Sequence, residues 1–199
     1  TWLTDRERVR ISRGIIREDK VLAGGPVLDL ASNDYLGLSR DPRLAAAAVE
    51  AIERYGTGST ASRVVTGTHG AHRDLEAALC ELTGAATAIA FSSGYTANLG
   101  LLGALGAAGT VLILDEHVHA SMIDAARLSR AEVAVFKHSD LATLRDALSK
   151  WPQLRSVVVV ESVHLGLGDD ASLAGIASLF RSRSAEGRVG TEFWSMCGA

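Results

Sequence analysis

Lysine is scarce in this sequence: Lys20, Lys137 and Lys150 stand against 17 arginines, the bias of GC-rich coding, because arginine has GC-rich codons and lysine has not. Cysteine is scarcer still. Cys80 and Cys197 make neither a disulfide framework nor a metal-ligand spacing, so no metal is expected, and Cys80 on an apolar helical face reads as a reduced core residue. No apolar run approaches the length of a membrane-spanning helix and no signal peptide opens the sequence, so a cytoplasmic protein without a membrane partner is expected. A net charge of −3 and a pI near 6.1 leave no basic footprint, which excludes nucleic acid as the expected partner.

What remains is the composition of a globular protein. The 199 residues are 47% hydrophobic and 22% charged, enough to bury a core as one domain or most of one. Leu3 to Ile16 reads as an exposed amphipathic helix, and Val27-Leu28-Asp29-Leu30 as a short strand running into a loop at 31–38. Asp41-Pro42 has the form of a helix cap and first position, for a helix to about Tyr55. A glycine-rich span follows, Gly56 to Arg63 and Gly67 to Gly70. It could cradle a phosphate but lacks the spacing of a P-loop or dinucleotide fingerprint. A helix over 71–82 ends at Gly84. Strands are then expected at 86–91, 110–114, 132–136 and 155–160, alternating with helices near 95–105, 119–129, 140–150 and 172–183. Such alternation with near-continuous apolar strands predicts an α/β fold, a parallel sheet with helices on both faces and ligands at the carboxyl ends of its strands.

Three groups fall at those ends. The stretch Ala86 to Asn98 reads as strand, turn and helix, with Ser92-Ser93-Gly94 as the turn. Gly94 lets a ligand approach the backbone, and the first helical turn points its amides and its positive dipole end the same way. His119 follows the strand ending at Asp115, and Glu161 follows Val157 to Val160. An anion turn, an imidazole and a carboxylate suit an anionic, aromatic ligand.

These residues belong to longer blocks. Leu28 to Leu38, Gly56 to Gly67 with His72 and Glu76, Phe91 to Asn98, and His119-Ala120-Ser121 occur in the order and spacing of one family. The sequence resembles the α-oxoamine synthases, fold-type I pyridoxal-phosphate enzymes that condense an amino acid with an acyl thioester and release CO₂. The resemblance runs over about residues 1–180, and Ser32 to Leu38 favours the branch that serves biotin synthesis. It implies a partial large domain over 41–183, preceded by a helix and substrate loop at 1–40, and a cytoplasmic homodimer acting on small molecules. The implied cofactor is pyridoxal 5'-phosphate, held by Gly94 and Tyr95 at the phosphate, by His119 stacked on its ring and by Glu161 in the pocket. Arg17, Asn33 and His119 are implied for substrate. L-Alanine and a pimeloyl thioester are the implied reactants; glycine-using synthases of the 2-amino-3-ketobutyrate or 5-aminolevulinate type, and a truncated, non-catalytic binding or pairing protein, are the alternatives.

The family also needs an Asp to pair with the pyridine nitrogen and a Lys for the Schiff base, and neither motif is found; Leu165 stands where the family usually has Ser. No catalytic residue is therefore assigned, and the chain is expected to be inactive alone. The resemblance fails from about Ser184. Read from the third base of each codon, Glu192-Phe193-Trp194-Ser195-Met196 permits Val-Leu-Val-Asp-Val, and Gly190-Thr191 permits His-Gly. Because His-Gly-Val-Leu-Val-Asp is the family's form of the missing strand, residues 184–199 are expected to be a frameshifted reading.

Overall fold

The computed structural model describes residues 1–14, 16 and 32–160, and contacts divide the chain into two units, Thr1–Tyr35 and Leu36–Ala199. In the first unit, α1 (Trp2–Ser12) starts where the Thr1 hydroxyl accepts the Thr4 amide, and Gly14 beyond it has a left-handed φ of 66°. The helix is shorter than the expected Leu3 to Ile16 and is not amphipathic. At about 100° per residue Trp2 and Val9 share one side while Leu3 and Ile11 fall on others, and all four are exposed. The strand expected at Val27 to Leu30 and the helix at 172–183 lie outside the described residues.

The second unit begins with a 3-10 turn at Leu38–Arg40 and α2 (Pro42–Tyr55), whose N-cap Asp41 accepts the Arg43 amide at 2.8 Å. Then come α3 (Gly70–Thr83), α4 (Gly94–Leu105), β1 (Thr110–Asp115), α5 (Ala120–Leu128), β2 (Glu132–Phe136), α6 (Leu141–Ser149) and β3 (Arg155–Val159). Gly84 closes α3 in the left-handed conformation, and Asp140 caps α6 by accepting the amides of Ala142 and Thr143.

The sheet has the order β2-β1-β3, with both neighbours parallel to β1. Its centre is the run Val111-Leu112-Ile113-Leu114, whose alternate side chains serve opposite faces. Leu112 and Leu114 pack with Leu102 of α4 and with Met122, Ala125 and Ala126 of α5; Val111 and Ile113 pack with Leu144, Ala147 and Leu148 of α6. Burial on both faces explains why β1 is apolar throughout, and each fully buried Leu or Ile contributes about 1.5–3 kcal/mol. The chain thus leaves β1 for one face and the adjacent β2 for the other.

The stretch 86–91, expected as a strand, carries no ladder among the described residues. Side chains hold it instead: the Ala90 amide donates to Glu76 Oε1 at 3.1 Å, and the Ala90 carbonyl accepts from Arg63 Nη1 at 3.1 Å. Cys80 is only half-buried, short of the core position expected for it.

Candidate functional site

The turn and helix start at Ser92-Ser93-Gly94 form as expected. The Ser93 hydroxyl accepts the Thr96 amide and the Thr96 hydroxyl accepts the Ser93 amide, both at 3.2 Å, a reciprocal box that fixes where α4 starts. Gly94 and Tyr95 form its first turn. Phe91 lies over Gly100, where an added Cβ would come within 3.0 Å of the ring, so the glycine lets the approach to the turn lie flat on the helix. Tyr95 is exposed, and its hydroxyl donates to Asp124 Oδ2 of α5 at 3.2 Å; that bond pushes the phenol above its ordinary pKa.

His119 is exposed but anchored. It caps α5, and its Nδ1 accepts the Ser121 amide at 3.2 Å and lies 2.8 Å from Ser121 Oγ, which in turn accepts from Asn98 Nδ2 at 2.8 Å. An amide N–H can only donate, so Nδ1 is an acceptor and the proton of the neutral ring sits on Nε2. Asn98 and Ser121 are buried, 2% and 0% exposed. A rigid, buried relay therefore presents a surface imidazole near the positive ends of α4 and α5.

Arg63, in the glycine-rich span, donates to Glu76 Oε1 at 2.6 Å, and Arg73 donates to Oε2 at 3.3 Å. The Arg63 bond, then the Ala90 amide, hold the buried Glu76 carboxyl down to about 2. This clamp ties the glycine-rich span and α3 to the chain just before the turn. It commits the Arg63 guanidinium to structure rather than to a phosphate in that span. Nearby, His72 Nδ1 accepts the His69 amide at 3.0 Å and caps α3.

The family model for class I and II aminotransferases matches residues 25–186. The chain belongs to this family. Among its relatives, the 8-amino-7-oxononanoate synthases of Mycobacterium sp. (strain JLS) and Mycolicibacterium gilvum (strain PYR-GCK) are each 45% identical over 92% of the chain, and over 48% and 49% of their own lengths. The chain spans about half the length of the curated relatives it matches. Its fold is similar to a Sphingomonas wittichii serine palmitoyltransferase (33% identity, TM-score 0.76, 91% of this chain and 48% of that one). It is also similar to the 8-amino-7-oxononanoate synthase of Francisella tularensis (28%, 0.65, 77% and 42%) and to an S. paucimobilis serine palmitoyltransferase with bound PLP (37%, 0.70, 75% and 38%). The resemblance to α-oxoamine synthases read from the sequence blocks is borne out.

Within this aminotransferase-family fold, the expected site residues divide. Gly94, Tyr95 and His119 lie on elements joined by the Tyr95–Asp124 and Asn98–Ser121 bonds. Asn33 is exposed in the first unit, beside an Asp34 amide that donates to Ser32 Oγ at 3.0 Å. Arg17 and Glu161 lie outside the described residues. Asn98 and Ser121 were inside recognised blocks but carried no assigned role; the available signal was a lone amide side chain in an otherwise apolar helix. No local sequence signal points to the pairing of Asp115 with His138, 23 residues apart.

Proposed function

We propose that the chain carries the phosphate-binding turn and the ring-stacking histidine of a pyridoxal 5'-phosphate site. The parent activity in this reading is of the 8-amino-7-oxononanoate type, joining L-alanine to a pimeloyl thioester with loss of CO₂. The observation that carries it is the Asn98–Ser121–His119 relay, which fixes an exposed aromatic ring on the helix beside α4. The residues present fit the cofactor: a glycine at a helix start suits a phosphate, and a surface imidazole anchored at one nitrogen suits a flat pyridine.

In this reading the amides of Gly94 and Tyr95 bind the phosphate. His119 stacks on the ring while the relay keeps its proton on Nε2, the edge away from Ser121. The resemblance assigns substrate contacts to Arg17 and Asn33 and a cofactor contact to Glu161, and those roles are carried in the same reading. When bound, the cofactor supplies an electron sink for charge developing at the amino-acid α-carbon. Lys137 follows β2 and Lys150 caps α6, both exposed, and neither they nor Lys20, which lies outside the described residues, sits in a Schiff-base sequence context. Cofactor binding by this chain is therefore non-covalent and turnover by it alone is not expected; two copies pairing as a homodimer belong to the same reading.

The test is ³¹P NMR of pyridoxal phosphate titrated with the chain. The phosphate resonance should shift, and His119→Ala should weaken binding several-fold, the roughly 0.5–1.5 kcal/mol of an aromatic stack. An unchanged resonance would sink the cofactor reading. A borohydride-fixed pyridoxyl group on one lysine would overturn its non-covalent part. Protein from a gene with its frame corrected ahead of codon 190 should release CO₂ from L-alanine; faster turnover of glycine would move the reading to the glycine-using branch.

A further inference from the structure

The carboxyl ends of β1 and β2 carry a cluster that the cofactor reading does not use. Asp115, the last residue of β1, is 5% exposed and lies opposite Phe136 of β2. His138, two residues beyond Phe136, places its Nδ1 2.9 and 3.0 Å from the two Asp115 oxygens. A carboxylate can only accept, so the imidazole donates. The backbone around them is held in place: the His117 amide donates to Asp115 Oδ1 at 2.8 Å, the His138 amide to Glu116 Oε1 at 3.0 Å, and the Glu116 amide to the Phe136 carbonyl at 3.0 Å. The rings of His117 and His138 lie 4.8 Å apart, tilted by 33°. One ligand atom from each of Asp115, His117 and His138 can be chosen so that all lie within 4.8 Å of one another.

We propose that Asp115, His117 and His138 bind one divalent transition-metal ion of the zinc, nickel and cobalt class. Two imidazoles and one carboxylate are the donor set those ions take, whereas magnesium and calcium favour oxygen alone. Tetrahedral bonds of ~2.0–2.2 Å put ligand atoms about 3.3–3.6 Å apart, so a span of 4.8 Å must close by about 1.2–1.5 Å. His117 is exposed and can make that movement; binding also releases the His138 Nδ1 proton to solvent, so the ion takes the place of the Asp115–His138 hydrogen bond. Asp115 ends β1, and His138 lies two residues past the end of the adjacent β2, so the sheet itself holds these two ligands side by side. A divalent ion also supplies positive charge against a buried carboxylate. The remaining coordination positions face solvent on the His117 side and take water. None of the three ligands has a role in the cofactor site, so this site stands or falls separately from that reading.

The experiment titrates the full chain, first stripped with a chelator, with Zn²⁺ against a chromophoric competitor, and with Co²⁺ read by visible absorption. One equivalent should bind, and Zn²⁺ should move the imidazole ¹⁵N resonances of His117 and His138 but not those of His69 and His72. His117→Ala should lower affinity at least about tenfold with an unchanged circular dichroism spectrum, since it removes an exposed ring and leaves the Asp115–His138 bond intact. No saturable uptake, uptake equally tight in His117→Ala, or resonance changes confined to His69 and His72 would each overturn the site.

Discussion

Asn98 of α4 and Ser121 of α5 meet at 2.8 Å with both side chains buried, so the bond that joins the two helices also seats the hydroxyl that donates to His119 Nδ1. A buried amide that lost this partner would retain its desolvation cost without the compensating bond. Helix packing and the orientation of one surface imidazole are thereby a single feature.

Ser121→Ala should accordingly destabilise the chain by about 1–3 kcal/mol in urea unfolding. Because the backbone amide at position 121 still donates to His119 Nδ1, long-range ¹⁵N correlation should show His119 keeping its Nε2–H form. A mixture of tautomers in Ser121→Ala would show that the hydroxyl, rather than the backbone amide, fixes the ring.

Glu76 makes stability depend on acid. Its carboxyl is lowered from 4.5 to about 2 by Arg63 first and the Ala90 amide second, so it contributes stability that is fully present above pH 4.5. The contribution is lost as pH falls from 4.5 toward 2, because the unfolded chain takes up the proton first. Melting temperatures across that window should fall less steeply in Glu76→Gln, which starts from a lower value at pH 7.

Two glycines in the same span should respond oppositely. A Cβ on Gly67 would lie 1.9 Å from the Ala61 carbonyl oxygen, whereas one on Gly58 meets nothing within 4 Å. Gly67→Ala should cost about 1–3 kcal/mol by overpacking, and Gly58→Ala should change thermal stability by less than about 0.5 kcal/mol.

Leu112 is 0% exposed at the centre of β1, and Leu128 at the end of α5 is 75% exposed. Leu112→Ala should cost about 2–5 kcal/mol by leaving a cavity, and Leu128→Ala less than about 0.5 kcal/mol. Paired denaturant melts check the contrast.

Sequencing the DNA across codons 160–199 and beyond should reveal a one-base change ahead of codon 190 whose correction restores an Asp-bearing strand. An unshifted frame in independent reads would remove that reading.

Local chemistry explains why much of the second unit was legible in the amino-acid order. Asp41-Pro42, Gly84 and Ser93 terminate helices through their own side chains or their lack of one, and the runs at 110–114 and 132–136 are apolar strands of ordinary length. Where reading failed, the partner was distant. Thr87 to Phe91 has strand composition, but Glu76 and Arg63, 14 and 27 residues before Ala90, take its backbone bonds.

The sequence by itself determined the alternation of strand and helix, the position of the anion turn at Ser92 to Gly94 and the family blocks, because caps, turns and apolar periods act over a few residues. Only the tertiary structure decided that Asn98 would anchor His119 and that His138 would meet Asp115 across 23 positions. Those meetings depend on which strands pair in parallel and which helices share a face, and that is settled by burying β1 from both sides.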